Sequence, residues 1–354
     1  MSASRERLFS FRASVRTLQR ALGLYSHNRS YRAWRQLARF AYRKIRGQPV
    51  PTTAFVVTTY RCQLQCPHCY AAAESRSGRD EMSTEEVKSV LDQVQALGVL
   101  QVVLTGGEPL LRKDIFEIVG HAHQIGLITR LNSNGGLLTA ECVAKLERAG
   151  LNKCGVSIDY ADPDIHDRSR GRPGTFEKAV QALRDLRRYG IERQLLAYSS
   201  HEKLGAELER IVDLGERLKV SSVFFTIPYV TGRWKDSYDQ AFSERDMTRL
   251  RELLRHPIVT MEFPRAQKKC DACAYSIIHV NAQGGVTTCP AVPYLIGNIR
   301  RNSLADIWRW LTSARQLKFK GRCPMNNEQD RRLLKAQAAA LAQSQQSEGK
   351  SQGI

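Results

Sequence analysis

The sequence lacks any run of about eighteen uncharged apolar residues, so no segment reads as a transmembrane helix. Its basic N-terminus lacks the short apolar stretch and small-residue cleavage site of a secretory signal. We therefore expect a cytoplasmic chain. Acid is scarce: 35 Asp and Glu stand against 54 Lys and Arg, for a net charge of +19. The scarcity is local. Residues 1–50 hold twelve Arg or Lys and one acid, Glu6, so eleven of the nineteen net positive charges sit in that extension. The body behind it is only mildly basic, and nucleic acid is a disfavoured partner. What remains is an ordinary globular mixture, 42% hydrophobic and 25% charged over 354 residues, enough for one large domain and a smaller one.

Disulfides are not expected in that compartment, yet the chain has nine cysteines. Seven fall into two groups, Cys62, Cys66 and Cys69, then Cys270, Cys273, Cys289 and Cys323. Clusters of thiols in a reducing compartment point to metal. Cys142, in a helix-like segment, and Cys154, in a strand-like one, read as small core residues.

The pattern predicts four regions. Residues 1–50 form a basic extension. In it Trp34, Leu37, Ala38, Ala41 and Ile45 share one helical face, and Arg32, Arg35, Arg39, Arg43 and Arg46 the opposite one, before Gly47 and Pro49 end the helix. Such a helix docks on the main domain, lies on a membrane surface, or meets an acidic partner or nucleic acid. Residues 51–240 alternate strands (54–59, 100–107, 127–135, 153–159, 193–200, 221–228) with helices (83–98, 114–126, 139–150, 175–190, 206–218). Alternation implies parallel strands with right-handed crossovers, an open partial barrel or a doubly wound sheet, with chemistry at the C-terminal strand ends. Residues 241–325 break the repeat with a helix at 243–255, a hairpin at 276–289 and a short helix at 303–311. Residues 326–354 read as a helix fading into a polar tail.

The first cysteine group, in C-x3-C-x2-C spacing, follows the first strand. A structural zinc site needs four protein ligands, and three are here. A [4Fe–4S] cluster held by three thiolates leaves one iron open for a small molecule, which makes the missing ligand intelligible. CQLQCPHC, with TGGEP at 105–109 after the next strand, resembles the radical S-adenosylmethionine (SAM) superfamily. The resemblance implies a partial (β/α)6 barrel within an α/β fold. It also implies a [4Fe–4S] cluster on Cys62, Cys66 and Cys69 whose open iron chelates SAM, and reductive cleavage of SAM to a 5′-deoxyadenosyl radical that abstracts hydrogen from substrate. On the same resemblance, His68 lies near the adenine, and Gly106 and Gly107 admit the methionyl ammonium, with Glu108 and Pro109 completing the motif. Asn132 and Asn134 in NSNG, and Ser157 in SID, lie near the SAM carboxylate and ribose. Arg170, preferred to Arg168 in HDRSRG, pairs with the carboxylate.

The second group, with IGNI at 296–299 and SLADIW at 303–308, resembles the C-terminal SPASM/twitch extension, a small cysteine-rich α+β unit that binds auxiliary clusters. Four cysteines imply one auxiliary [4Fe–4S] cluster rather than two; four thiolates on zinc are the alternative. Members with this extension mostly modify peptide or protein side chains, which makes that the leading substrate. Tetrapyrrole side chains come second, and a lipid or small molecule third. A flavodoxin- or ferredoxin-type donor would supply the electron. The opposing hypothesis is a basic binding module with structural metal. No catalytic base or radical relay is identified; Tyr70, Tyr160, Tyr229 and Asp159 lie near strand ends without an assigned role.

Overall fold

The computed structural model describes residues 31–73, 80–226, 232–234, 244–261, 276–290 and 292–313, and helical positions scattered between 328 and 339. Cys270, Cys273, Cys323 and Tyr229, and the tail expected after 326 apart from those helical positions, lie outside the described residues.

The alternation read from the sequence is realised. Strands β1 (Thr53–Thr59), β2 (Gln101–Gly106), β3 (Ile128–Ser133), β4 (Lys153–Ser157), β5 (Glu192–Tyr198) and β6 (Ser222–Thr226) pair in parallel in chain order. Helices cover their outer side. Helix α1 (Tyr31–Ile45) precedes the sheet; α2 (Thr84–Ala96), α3 (Ile115–Gln124), α4 (Ala140–Arg148), α5 (Pro163–Arg170), α6 (Thr175–Arg188) and α7 (Ala206–Arg217) connect its strands. The local chemistry explains the boundaries. Ser83 and Glu86 form a reciprocal capping box at the start of α2, and Val87, Val90, Leu91 and Val94 give it one fully buried stripe. Each such side chain contributes about 1.5–3 kcal/mol by leaving water.

Between β4 and β5 the chain makes two helices where the pattern suggested one. Asp162 accepts from the Ile165 amide as N-cap, Pro163 opens α5, and left-handed Gly171 closes it.

The sheet also continues past residue 240. After α8 (Glu244–Leu253), β7 (Val259–Met261) pairs in parallel with β6. The expected hairpin forms from β8 (Ile277–Val280) and β9 (Gly285–Thr287), and β10 (Gly297–Asn298) follows antiparallel. Its turn spans Asn281–Gly284, where the Asn281 side chain accepts from the amides of Gln283 and Gly285. β8 lies in parallel beside β1, so the ten strands form one open sheet in the order β10-β9-β8-β1-β2-β3-β4-β5-β6-β7. Helix α9 (Leu304–Ser313) packs on α2, and Trp308 Nε1 donates to the Pro49 carbonyl. Side chains from β1, β3, β4, β5 and β6 line a single cavity, so the sheet curls into a partial barrel.

Helix α1 docks, but not by the face the pattern suggested. Ala33, Gln36, Leu37 and Phe40 are buried against Val50, Leu100 and Ile128. Trp34, Ala38 and Ile45 are exposed instead. Polar contacts turned the helix. Gln36 Nε2 donates to the carbonyls of Gln95 and Val99, Arg43 to that of Leu97, and Arg32 to that of Gln124. These carbonyls lie at the C-terminal ends of α2 and α3, where unpaired oxygens and the helix dipole attract cations. Gly126, at φ +89°, has the Arg32 backbone 2.7 Å from where a Cβ would sit, so α1 crosses there against a bare backbone. The helix thus covers the N-terminal ends of β2 and β3, away from the cysteine loop.

Candidate active site

The site is built at the C-terminal strand ends. The loop after β1 carries Cys62, Cys66 and Cys69, and all three line a cavity of ≈ 250 Å³. Glu81 accepts from Thr59 Oγ1 and from the Tyr60 amide, which fixes the chain where the strand gives way to the loop. Burial pushes the thiols of Cys62 and Cys66 up, and for Cys66 the Arg170 guanidinium pulls the other way. Among the described residues no three His, Cys, Asp or Glu side chains converge as a mononuclear metal site requires.

Gly106, the last residue of β2, and Gly107, just past it, line the cavity. What they make room for is the cysteine loop. A Cβ on Gly106, at φ +144°, would sit 2.1 Å from the Thr59 carbonyl oxygen, and one on Gly107 would sit 2.3 Å from that of Arg61. The Gly107 amide donates to Thr59 and the Glu108 amide to Arg61, at 2.8 and 2.9 Å. The glycine pair seats the loop on the sheet.

Glu108 is fully buried and stands behind the cavity wall. Its carboxylate accepts from Ser133 Oγ at 3.0 Å, the Asn134 amide at 2.8 Å and the Leu110 amide at 3.2 Å. Burial pushes its carboxyl up to about 7 against the pull of those donors. It clamps the NSNG turn. Asn134, so placed, accepts from Gln63 Nε2 at 3.0 Å and directs its own Nδ2 to Cys62 Sγ at 3.9 Å. Asn132 lines the cavity and accepts from Arg130 Nε at 2.9 Å. Ser157, the last residue of β4, lines it too.

Arg170, at the end of α5, is buried and reaches the cavity, whereas Arg168 is exposed. Its NH2 lies 2.7 Å from Asp159 Oδ2 and its NH1 donates to Cys66 Sγ at 3.6 Å. Among the described residues its buried Nε has no hydrogen-bond partner. His68 also lines the cavity. Its ring stacks on Tyr198 at 4.5 Å, and its Nε2 lies 3.4 Å from Asp159 Oδ2. Burial lowers the imidazole to about 4 despite Asp159, so it is neutral at pH 7.

Several residues that organise the site had no role assigned from the sequence. Asp159 is 1% exposed, pairs with the Arg170 guanidinium and lies beside the His68 ring. Burial pushes its carboxyl up, but the Arg170 guanidinium, with His68 and Lys203 behind it, holds it well below the usual carboxylate range. Lys203 donates to the carbonyls of Asp159 and Tyr198, tying β4 to β5. Arg233 donates to the carbonyls of Gln65 and Cys66 at 2.6 and 3.0 Å. The signal for Asp159 was its place two residues past Ser157, at the end of SID; for Arg233 there was none. Phe55, Arg130, Leu196 and Phe224 also line the cavity, with the Arg130 guanidinium 5.3 Å from the Phe224 ring centroid. Of the second cysteine group, Cys289 is described; it is buried, and its neighbour Pro290 lines the same cavity.

The donor set fits a SAM-binding cluster. Three thiols share a cavity with an unpartnered, buried guanidinium N–H, the donor a ligand carboxylate would take. Residues 56–205 match the Radical SAM superfamily, and residues 270–332 match SPASM, an iron–sulfur cluster-binding domain. The chain is 31% identical over 298 residues to the AdoMet-dependent heme synthase of Methanosarcina barkeri, covering 75% of this chain and 85% of that one. It is 30% identical over 281 residues to the PqqA peptide cyclase of Rhodopseudomonas palustris, covering 73% and 74%. The fold is similar to that of Streptococcus suis SuiB crystallised with the precursor peptide SuiA, with a TM-score of 0.64 at 18% identity over 87% of this chain and 79% of SuiB.

Proposed function

We propose a substrate class and a division of labour for this chain, which belongs to the radical SAM superfamily and carries a SPASM iron–sulfur cluster-binding extension. It is an enzyme, and its cofactors are a [4Fe–4S] cluster, SAM and an auxiliary iron–sulfur cluster. When bound, cluster and SAM together supply a 5′-deoxyadenosyl radical that takes a hydrogen atom from substrate. In our reading Cys62, Cys66 and Cys69 hold the first cluster, and Cys270, Cys273, Cys289 and Cys323 the auxiliary one. Arg170 Nε and Ser157 receive the SAM carboxylate, and Gly106 and Gly107 face its ammonium. His68, kept neutral by burial and flat against Tyr198, offers a ring beside the adenine. Asn132 and Asn134 face the ribose. Glu108 acts from behind by holding Asn134.

The substrate presents one side chain, and we assign that side chain to a peptide or protein. The observation that carries this is the similarity to the PqqA peptide cyclase, which spans 73% of this chain and 74% of that one. A tetrapyrrole side chain is the second reading, favoured by the similarity to the heme synthase over most of its length. Arg130 on the wall suits a carboxylate in either case. The electron comes from a flavodoxin- or ferredoxin-type donor. The exposed face of α1, with Tyr31, Tyr42 and Ile45 beside Arg35 and Arg39, makes peripheral contact with an anionic membrane; co-sedimentation with anionic vesicles that R35E/R39E leaves unchanged would contradict that.

The experiment is an anaerobic assay with SAM and dithionite, offering precursor peptides with acidic side chains and a carboxylate-bearing tetrapyrrole in separate reactions. The leading reading predicts 5′-deoxyadenosine above the substrate-free rate and a mass change in a peptide. Turnover of the tetrapyrrole alone transfers the assignment to the second reading.

A further inference from the structure

Arg170 does more in this structure than wait for a carboxylate. Its three donor positions are distributed. NH2 forms an ion pair with Asp159 Oδ2 at 2.7 Å, NH1 points at Cys66 Sγ at 3.6 Å, and Nε is buried without a hydrogen-bond partner among the described residues. The guanidinium is a rigid planar fork, so fixing one arm fixes the direction of the other. Asp159 is 1% exposed, sits one residue beyond Ile158 at the end of β4, and is braced by Lys203 on its carbonyl and by His166 Nδ1 on its amide. The backbone joins the same clasp, because the Gln65 amide donates to the Arg170 carbonyl at 3.3 Å. The cysteine loop and the end of α5 are therefore held in register before any ligand arrives.

We propose that Asp159 and Arg170 form a positioning pair that keeps an N–H donor on the Cys66 sulfur and thereby raises the reduction potential of the cluster held by Cys62, Cys66 and Cys69. Hydrogen bonds to cluster sulfurs and nearby positive charge stabilise the reduced, more negative state. The pair makes the one-electron reduction easier for a physiological donor, while Nε remains for SAM. Asp159 acts through Arg170 and is a positioning residue. The proposal rests on the reading of the three cysteines as cluster ligands.

The test is a potentiometric titration, followed by electron paramagnetic resonance, of the reconstituted full chain without SAM. The cluster in question is the one whose reduced signal changes when SAM is then added. R170Q is expected to lower its potential. At the wild-type midpoint the ratio of reduced to oxidised cluster should fall at least ten-fold, about 59 mV for one electron. R170K, which keeps the charge but loses the fork, should fall in the same direction by less. D159N separates positioning from simple charge. Removing a nearby negative charge by itself raises the potential, whereas loss of the N–H···S contact lowers it, and we expect it lowered. An unshifted potential in R170Q overturns the proposal; should R170Q fail to take up iron, an unshifted R170K does so. A raised potential in D159N overturns the role given to Asp159. A wild type with no SAM-sensitive signal overturns the cluster reading itself, an outcome distinct from a SAM-sensitive signal with unchanged potential.

Discussion

Glu108 shows how a motif residue can serve a site without touching it. Its carboxylate is fully buried, and burial sets its folded value at about 7 against an ordinary 4.5. The folded chain therefore keeps a proton that the unfolded chain releases in between. Stability from this group is full below about pH 4.5 and is lost as pH rises through about 7. We expect denaturant unfolding of the metal-free chain to lose stability between pH 5 and pH 8, and Glu108→Gln to remove most of that slope. A variant with the wild-type slope would contradict the assignment. At this scale the sequence was legible wherever chemistry has a fixed spacing. The three cysteines, Gly106, Gly107, Asn132, Asn134, Ser157, His68 and Arg170 all line or reach one cavity. What it concealed was support. Asp159, Lys203 and Arg233 act through distances set by the fold, and a charged residue at a strand end or in a loop looks the same in sequence whether it braces a site or meets water. The glycines have a second reason that no spacing reveals, the close approach of the Thr59–Arg61 backbone.

Among the elements, α1 is where periodicity gave the right helix and the wrong face. Hydrophobic spacing placed Trp34, Ala38 and Ile45 inward, but Gln36, Arg32 and Arg43 satisfy carbonyls at the ends of α2 and α3 only if Ala33, Leu37 and Phe40 face the barrel. A broad apolar face does not by itself reveal which of its edges meets polar partners. Phe40 is fully buried, so Phe40→Ala should cost about 3–5 kcal/mol if α1 is part of the cooperative fold. Arg39→Ala, on the exposed face, should stay within about 0.5 kcal/mol. Equal, small effects on thermal unfolding would mean that α1 is an appendage. The parallel strands and their helices were legible to within two residues at most ends, because capping and apolar stripes are local. The pairing of β8 with β1 was not, since more than two hundred residues separate the partners and no local signal spans them.

At the scale of the whole molecule that pairing joins the two halves. β1 has β2 on one side and β8 on the other, and α9 packs on α2 while binding the Pro49 carbonyl. A chain cut at residue 240 would leave β1 with an unpaired edge and uncover α2. We predict that residues 51–240 alone do not give a soluble, cooperatively folding monomer by size exclusion and circular dichroism; a well-behaved fragment would show that the barrel stands without its extension. The continuity also bears on chemistry, because it brings Pro290, beside Cys289, to the wall that the first three cysteines share.

The central claim is that three thiols and an open cavity form a working cluster site for SAM. The direct measurement is anaerobic reconstitution of the wild type and of the C62A/C66A/C69A variant, counting iron and assaying 5′-deoxyadenosine under dithionite. The account predicts about eight irons per chain in the wild type and about four in the variant, with SAM cleavage in the wild type alone. Iron uptake that the triple substitution leaves unchanged, or a wild type that takes up iron yet cleaves no SAM, would contradict it.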